Sequence, residues 1–432
     1  STESSEVNSS EPSRFLRQLK SELGAYDKPE IIMPSFVPDE NGTISVRKTP
    51  KMIGRIISNY KTDNAFPQNT EDNYLSPSAL NVYFNCSLKF YFQYILDLKE
   101  EEDFDVNVDS GTFGTIFHRT MQNIYCRLAG EEVHGEKDNI NAPYWKKPYH
   151  LITPAALNQL VRKSEGTPAY HYQQTEIENY VNQAFQDVMG ITADRFTGEQ
   201  LIKRDVLVTF VKYQLKQDLE YAGKEGFDVY EPESPVKGAV EVNIDGLKGL
   251  PDELQTKKSI LFCVGGQMDR RDAKNDVLRL VDYKTGGSSN DKKCKILEEL
   301  FDGKDKMFQI VLYSYLLARQ LGDYPLRKIV KPALMFLKEE HAADYVPDLL
   351  ISVKKMGETG KKEKKVNEVL QVKMQEGEAV ITGAEGSESQ SDFMTQLKSK
   401  LRELLDVDVP FEATDNLEKC TYCSFLSLCH PG

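Results

Sequence analysis

Apolar positions fall into three successive textures along the chain. From residue 1 to about 70 the sequence is rich in Ser, Asn, Asp and Pro, with one short periodic piece at Phe15, Leu16, Leu19 and Leu23, which predicts a flexible tether. From Ser76 the pattern turns helical. Ser76-Pro77 is a helix-start signal, and it opens an aromatic stretch with Tyr83, Phe84, Phe90, Tyr91, Phe92 and Tyr94. A second helix is predicted from about Thr112 to Leu128. Two more follow from Ile177, Val181, Ala184 and Val188 and from Val208, Val211, Leu215 and Leu219, spaced by three and four. Between the first two helices, Glu100 to Asp109 holds six acidic residues in ten and reads as a solvated loop.

The period then switches to two. Ala239 to Ile244 alternates, Ser259 to Val264 is a short apolar run, and Val277 to Thr285 is β-branched and aromatic before Gly286-Gly287. A helix from about Lys306 to Leu321 and a strand from Ala333 to Leu337 complete an order that predicts an α/β fold, a mixed sheet with helices packed on it. Residues 353–390, with Lys361-Lys362-Glu363-Lys364-Lys365 and a Gly/Ser/Glu stretch, read as an inserted, partly mobile excursion. A last helix carries Phe393, Leu397, Leu401 and Leu404 on one face. The expected division is a tether over 1–70 and a folded body over 71–432. Within that body a helical part spans about 71–235, a catalytic sheet about 236–345, the excursion about 353–390, and a terminal helix with a cysteine cluster 391–432.

Composition narrows the class. Of 432 residues, 40% are hydrophobic and 10% aromatic, enough to build a sizeable core and to exclude global disorder. The longest apolar run, Ile310 to Ala318, is about half the length a membrane span needs, so no membrane association is expected. Ser1 to Ser10 carries no apolar segment of the secretory kind, and the missing initiator Met marks the chain as a candidate piece of a longer protein. Seven cysteines do not suit a disulfide framework, so a reducing, cytoplasmic setting is expected. The net charge of −13 disfavours sequence-blind coating of nucleic acid by a basic surface. Between Cys263 and Asp305, however, nine Lys/Arg balance nine Asp/Glu, which leaves room for a local phosphate site.

Candidate chemistry centres on the strand Val277 to Thr285. Alternation puts Leu278, Leu280, Asp282 and Lys284 on one face and Arg279, Val281 and Tyr283 on the other, so two charges end an otherwise apolar row. Buried beside leucine, they require a metal, a charged substrate or each other. Asp269 lies thirteen residues upstream, on a strand that a turn near Lys274-Asn275 would fold back antiparallel, bringing the two acids together. Paired carboxylates make a hard-oxygen site that suits Mg²⁺ or Mn²⁺. Considered singly, each signal has a bland reading: a salt bridge from Asp269 to Arg270 or Arg271, a core histidine at His118, polar helix tips at Gln309 and Tyr313.

Taken in order, these residues resemble the RecB-type nuclease domain of the PD-(D/E)XK superfamily, most closely AddB-like helicase-nuclease subunits, over roughly residues 74 to 432. The resemblance rests on Ser76-Pro77-Ser78-Ala79-Leu80 with Cys86 and Lys89-Phe90-Tyr91, Gly114 with His118, Gly266-Gln267-Met268-Asp269-Arg270, Val281-Asp282-Tyr283-Lys284-Thr285-Gly286, and Gln309 with Tyr313. It implies a restriction-endonuclease-like mixed sheet flanked by helices, with a large helical insertion and a carboxyl-terminal iron-sulfur staple. It further implies a Mg²⁺- or Mn²⁺-dependent DNA nuclease in which His118, Asp269, Asp282 and the Tyr283 carbonyl bind the metal. The metal lowers the pKa of a bound water and neutralises phosphate charge, while Lys284 positions that water and stabilises the oxyanion. Lys rather than Arg suits that role because a desolvated ammonium can shift its pKa. Gln309 and Tyr313 would support Lys284 and the DNA strand, with Glu241 a further acidic neighbour. The implied substrate is single-stranded DNA ends, and the implied partner a helicase subunit of AddA-like or RecB-like type in double-strand-break repair and recombination. No G-x-x-x-x-G-K-[ST] loop occurs here, so unwinding is expected from that partner.

Cys420, Cys423 and Cys429 crowd three thiols into ten residues, the mark of a metal site. The spacing leaves the fourth ligand open among His430, Cys86, Cys126, Cys263 and Cys294, and leaves zinc and an iron-sulfur cluster as alternatives. The resemblance implies Cys86 and a [4Fe-4S] cluster; its one small departure is Ser87, where the family commonly has Pro. Two rival readings stand beside the nuclease: a catalytically silent, cluster-stapled module that binds DNA ends, and a zinc-stapled scaffold with no nucleic-acid role.

Overall fold

The computed structural model describes residues 37–38, 44–64, 73–98, 108–129, 149–230, 232–295, 297–321, 329–339, 345–356, 363–375, 378–383, 393–421 and 423–429. Its helices are α1 (Pro50–Tyr60), α2 (Pro77–Asn85), α3 (Ser110–Leu128), α4 (Gln174–Met189), α5 (Gly198–Ala222), α6 (Asp305–Leu321) and α7 (Phe393–Leu405), with shorter turns between. Capping explains several starts: Ser76 accepts from the Ala79 amide ahead of Pro77, Asp109 accepts from Thr112, and Thr197 forms a reciprocal capping box with Gln200. Asp109, the last acid of the acidic run, is therefore a helix cap; residues 100–107 of that run lie outside the described residues.

Strands β1 (Ile44–Val46), β2 (Lys61–Thr62), β3 (Tyr149–Ile152), β4 (Val161–Lys163), β5 (Tyr170–Tyr172), β6 (Phe227–Tyr230), β7 (Ser234–Asn243), β8 (Ser259–Met268), β9 (Arg270–Lys274), β10 (Val277–Lys284), β11 (Ile329–Phe336), β12 (Leu350–Met356), β13 (Glu363–Gln375) and β14 (Glu378–Gly383) carry the sheets. A nine-stranded mixed sheet runs β12, β13, β11, β10, β9, β6, β3, with the short strand Lys293–Cys294 beside β12 and β14 beside β13. At its centre β10 pairs antiparallel with β9 and parallel with β11, and α6 lies on the crossover between β10 and β11. A second, three-stranded sheet is ordered β2, β8, β7.

The central sheet separates two cores. Leu278 and Leu280 of β10 join one, with α1, α2, α6 and α7; Val281 and Tyr283 join the other, with α3, α4 and α5. The alternation legible in Val277 to Thr285 thus addresses two different helical layers. Beneath the second layer lies a wholly buried charge network. The Arg270 guanidinium donates to Asp218 of α5 at 2.9 and 3.1 Å, to Asp272 at 3.0 Å and to the Tyr283 hydroxyl at 2.8 Å. The Tyr125 hydroxyl of α3 accepts from Arg270 and donates to Asp218. Arg279 donates to Asp272 at 2.5 and 3.1 Å. One guanidinium therefore links β9 and β10 to α3 and α5.

Three expectations are corrected. The tether over 1–70 does not extend to residues 44–62, where β1 pairs with Phe411–Glu412, β2 pairs with β8, and Ile53, Ile56 and Ile57 bury one face of α1. That face is only three residues wide within a polar composition, so the overall tally hid it. The sheet is not confined to about 236–345: β3 and β6 enter it from the helical part. Nor are residues 353–390 an excursion as a whole, since β13 pairs with β11 through Ile329↔Lys373 and Val330↔Val372 and buries Leu370 and Val372. Its charged positions mask a period-two pattern in Leu370 and Val372. Among the described residues, no helix is long and apolar enough to cross a membrane.

Removing one member of a buried ion network leaves its partners desolvated and unpaired. Asp218→Ala is expected to lower unfolding free energy by about 3–5 kcal/mol, read from urea denaturation; a loss below about 1 kcal/mol would show that Arg270 does not depend on this pair.

Candidate metal centre and active site

Two strands change sheets at the same corner. The chain leaves β6 in the central sheet and enters β7 in the smaller one through residues 231–233; it leaves β8 in the smaller sheet and enters β9 in the central one at Asp269. The Glu233 amide donates to the Asp269 carbonyl at 3.1 Å, so both turns meet. Glu233 holds φ at 55°, a left-handed conformation rare for this residue and costing on the order of 1–3 kcal/mol. The strain brings its carboxylate inward.

Four elements supply side chains to this corner. From α3, His118 Nδ1 lies 3.2 Å from Asp269 Oδ1 and 3.5 Å from Glu233 Oε1. Asp269 Oδ2 accepts from the Tyr283 amide at 2.7 Å, which ties the carboxylate to β10. On the same strand, Lys284 Nζ lies 2.7 Å from Asp282 Oδ2. From α6, Gln309 accepts from Lys284 at 3.3 Å and donates to Asp282 Oδ1 at 3.4 Å. Tyr313, one turn further, sets its hydroxyl against Gly266 of β8, where any Cβ would overlap it. That close approach is the reason a glycine is needed there. The Tyr283 ring leaves on the opposite face, edge-on to Phe117 and His118 with centroids 5.3 and 5.8 Å away.

His118, Asp269, Asp282, Tyr283, Lys284, Gln309 and Tyr313 thus share one neighbourhood. Glu241 does not: it is exposed at the far end of β7, where it accepts from Ser259 at 2.6 Å. Neither Arg270 nor Arg271 pairs with Asp269, because Arg270 turns to the buried network and Arg271 reaches the Ser234 hydroxyl. Glu233 was not anticipated. Its only signal is an acid between Pro232 and Ser234-Pro235 at the start of a strand, a weak one without the fold.

Electrostatics mark the centre as a cation site. Burial works to lower the His118 imidazole, but the carboxylates of Asp269 and Glu233 outweigh it and push the group up to about 10. Burial raises Asp282 to about 6, against the pull of Lys284 and with the help of Asp269. Lys284 is held above the usual ammonium range: burial opposes this, and Asp282 prevails. It therefore remains an ammonium, its shift running upward rather than in the direction burial alone would drive it. Burial, then the charge of Asp282, raises Tyr313.

Among the described residues, His118, Glu233 and Asp269 are the set of three potential ligands whose donor atoms all lie within 4.8 Å of one another. Asp282 is 2% exposed, and its Oδ2 accepts no well-aligned hydrogen bond despite the nearby ammonium. Three carboxylates facing one lysine and one imidazole leave negative charge that a divalent ion would neutralise, and this oxygen-rich donor set fits Mg²⁺ or Mn²⁺.

The second candidate centre lies at the amino-terminal end of α6, beside the first. Cys86, Cys420, Cys423 and Cys429 line one cavity of about 570 Å³ that also reaches Gln309. Cys86 caps the helical turn Ser87–Phe90, and Ser87 exchanges hydrogen bonds with the Glu412 backbone at 2.8 and 3.2 Å, joining the early helix to the carboxyl-terminal segment. Burial and then the neighbouring thiols raise Cys420, and raise Cys429 to about 11. Cys126 is exposed on α3, while Cys263 and Cys294 are buried elsewhere, so none of these joins the cavity; His430 lies outside the described residues.

Residues 74–430 match the family model described as the PD-(D/E)XK nuclease superfamily. No curated protein matches the chain by sequence.

Metal binding at the corner must displace the His118 proton, because only neutral imidazole ligates. Since His118 titrates near 10, Mn²⁺ affinity is expected to rise about ten-fold per pH unit from about 6 upward, and more steeply below about 6, where Asp282 also carries a proton. Calorimetric titration across that range, in buffers of different ionisation heat, reads both affinity and protons released. A flat profile would remove His118 from the ligand set.

Proposed function

The chain belongs to the PD-(D/E)XK nuclease superfamily, and from that premise we propose that it is a divalent-metal-dependent deoxyribonuclease that hydrolyses phosphodiester bonds at single-stranded ends. One observation carries the reading: His118, Glu233, Asp269 and Asp282 converge on a sheet corner with Lys284 beside them. His118, Asp269, Asp282 and the Tyr283 carbonyl would hold the ion, with Glu233 an added carboxylate. When bound, the ion supplies charge to offset the phosphate and acidity for the attacking water.

The protein's own groups do the rest. Asp282 holds the Lys284 ammonium near the scissile position, where a fixed cation stabilises negative charge building on the phosphate oxygens. Gln309 bridges Lys284 and Asp282, and so fixes the angle between ammonium and carboxylate. Tyr313, kept protonated by burial, remains a donor for a phosphate oxygen or for Gln309. A silent DNA-end binding module would not require this set, because binding alone gains nothing from a buried carboxylate raised by burial beside a fixed ammonium.

We further propose that Cys86, Cys420, Cys423 and Cys429 hold a [4Fe-4S] cluster. All four thiols line one cavity, and burial and then the neighbouring thiols raise Cys420 and Cys429, which supports a shared metal group; the preference for a cluster over zinc rests on the resemblance to AddB-like subunits. The helicase partnership and the role in break repair and recombination rest on the resemblance to AddB-like subunits.

Lys284→Ala is expected to cut Mg²⁺-stimulated digestion of labelled single-stranded DNA by about 100-fold or more while leaving Mn²⁺ affinity in place. Equal digestion by both proteins would remove the catalytic assignment. Anaerobic reconstitution with iron and sulfide should give a brown protein with visible charge-transfer absorption, and Cys86→Ser should stay pale and melt lower. A colourless wild type containing zinc would replace the cluster with a zinc staple.

A further inference from the structure

Away from the corner, the antiparallel hairpin β4–β5 lies against α5. Its register pairs Val161 with Tyr172, Arg162 with His171 and Lys163 with Tyr170. Val161 is wholly buried, so alternation turns Tyr172, Lys163 and Tyr170 toward the helix and Arg162 and His171 outward. The facing helix surface is basic. Lys212 Nζ lies 5.5 Å above the Tyr172 ring, Lys216 Nζ 5.6 Å and Lys163 Nζ 5.7 Å from the Tyr170 ring. Three cations, Lys163, Lys212 and Lys216, therefore share one small surface of a chain whose net charge is −13, with Arg162 on the outer face of the same hairpin.

Local acids offset only part of this charge: Glu165 and Glu220 line the same cavity as Arg162 and Lys163. Glu220 accepts from the Tyr170 hydroxyl at 2.6 Å, and Asp218 is spent on Arg270 within the core. Cation–π contacts at exposed sites are worth only about 0.5–1 kcal/mol each, so they hold the ammonium groups in place without neutralising them. Lys212 and Lys216 stand one helical turn apart, about 6 Å along the axis, which approximates one phosphate step of an extended strand. Arg162, Lys163 and His171 also line a cavity of about 840 Å³ between the hairpin and the end of α5.

We propose that the β4–β5 hairpin and the adjoining face of α5 form a docking surface for the phosphate backbone of single-stranded nucleic acid, distinct from the metal corner. Pre-positioned ammonium groups reduce the ordering cost of each phosphate contact. The substrate strand is thereby gripped away from the point of cleavage. The assignment rests on the reading that this chain acts on DNA, and binding can be measured apart from cleavage.

The test uses the whole chain carrying Lys284→Ala, in EDTA, with a fluorescent oligonucleotide followed by anisotropy against salt. Lys163→Gln, Lys212→Gln and Lys216→Gln together should weaken binding at least ten-fold. They should also lower the slope of log affinity against log salt by about 2, since each lost contact to a single strand accounts for roughly 0.7. A control triple at exposed lysines elsewhere, Lys51→Gln, Lys248→Gln and Lys257→Gln, should change affinity less than two-fold, with circular dichroism checking that both triples are folded. Equal losses in the two triples, or none, would overturn the surface. Polyglutamate competing as well as the oligonucleotide would overturn the nucleic-acid assignment, and a duplex binding equally well would overturn the single-strand assignment. Loss of binding in the test triple, together with a wild type that never cleaves, leaves the surface standing and removes the nuclease reading instead.

Discussion

Arg270 is the constraint on which the rest of the molecule depends. Its guanidinium is fully buried, and it stays charged because Asp218 and Asp272 outweigh the cost of its burial. Planar, multidentate geometry lets one group reach two carboxylates and two phenols at once, which a lysine would not do. The residue before it is Asp269. Fixing the first residue of β9 from beneath therefore fixes the carboxylate at the corner above. Tyr283, bonded to the same guanidinium, presents its ring edge to His118. The ion network and the metal centre are opposite sides of the same two strands.

A second constraint is the corner itself. Strands that pass from one sheet to another interrupt their ladders, and the backbone groups freed there need partners. Here the Glu233 amide and the Asp269 carbonyl satisfy each other, while the two side chains are left to face His118. Acidic side chains so close repel unless a cation intervenes. In the described residues the imidazole supplies part of that charge, which is why it is driven to the protonated form. The same arrangement makes ion binding and proton release two aspects of one equilibrium.

The two candidate metal centres are not independent in the fold. Gln309 of α6 touches Lys284 and Asp282 at one side and lines the cysteine cavity at the other. Carboxyl-terminal residues reach the early helix through Ser87 and Glu412, and through Phe411 stacked on Tyr91 with centroids 5.4 Å apart. Ser87, a departure from the usual pattern of the resembled family, here does the tying with its hydroxyl. Protein contacts already close the loop that the cysteines span.

Much of the architecture was legible without coordinates. Helix faces repeat every three or four residues and strand faces every two, because backbone geometry is local; hence α3 to α7 and β7, β8 and β10 could be located from periodicity. The row ending in Asp282 and Lys284 announced itself because charges at the end of an apolar face are costly wherever they lie. Short strands such as β6, and the charge-rich β13, carried too little periodic signal, and the three isoleucines of α1 were lost in a polar background. Glu233 carried only a weak signal, since its place depends on a left-handed backbone and on where two strands cross between sheets. What the amino-acid order determined by itself was which residues must be buried and which charges would then need partners. Which partners they found was decided by tertiary structure, because proximity between residues 118, 233, 269 and 309 is a property of how strands and helices stack, not of any spacing along the chain.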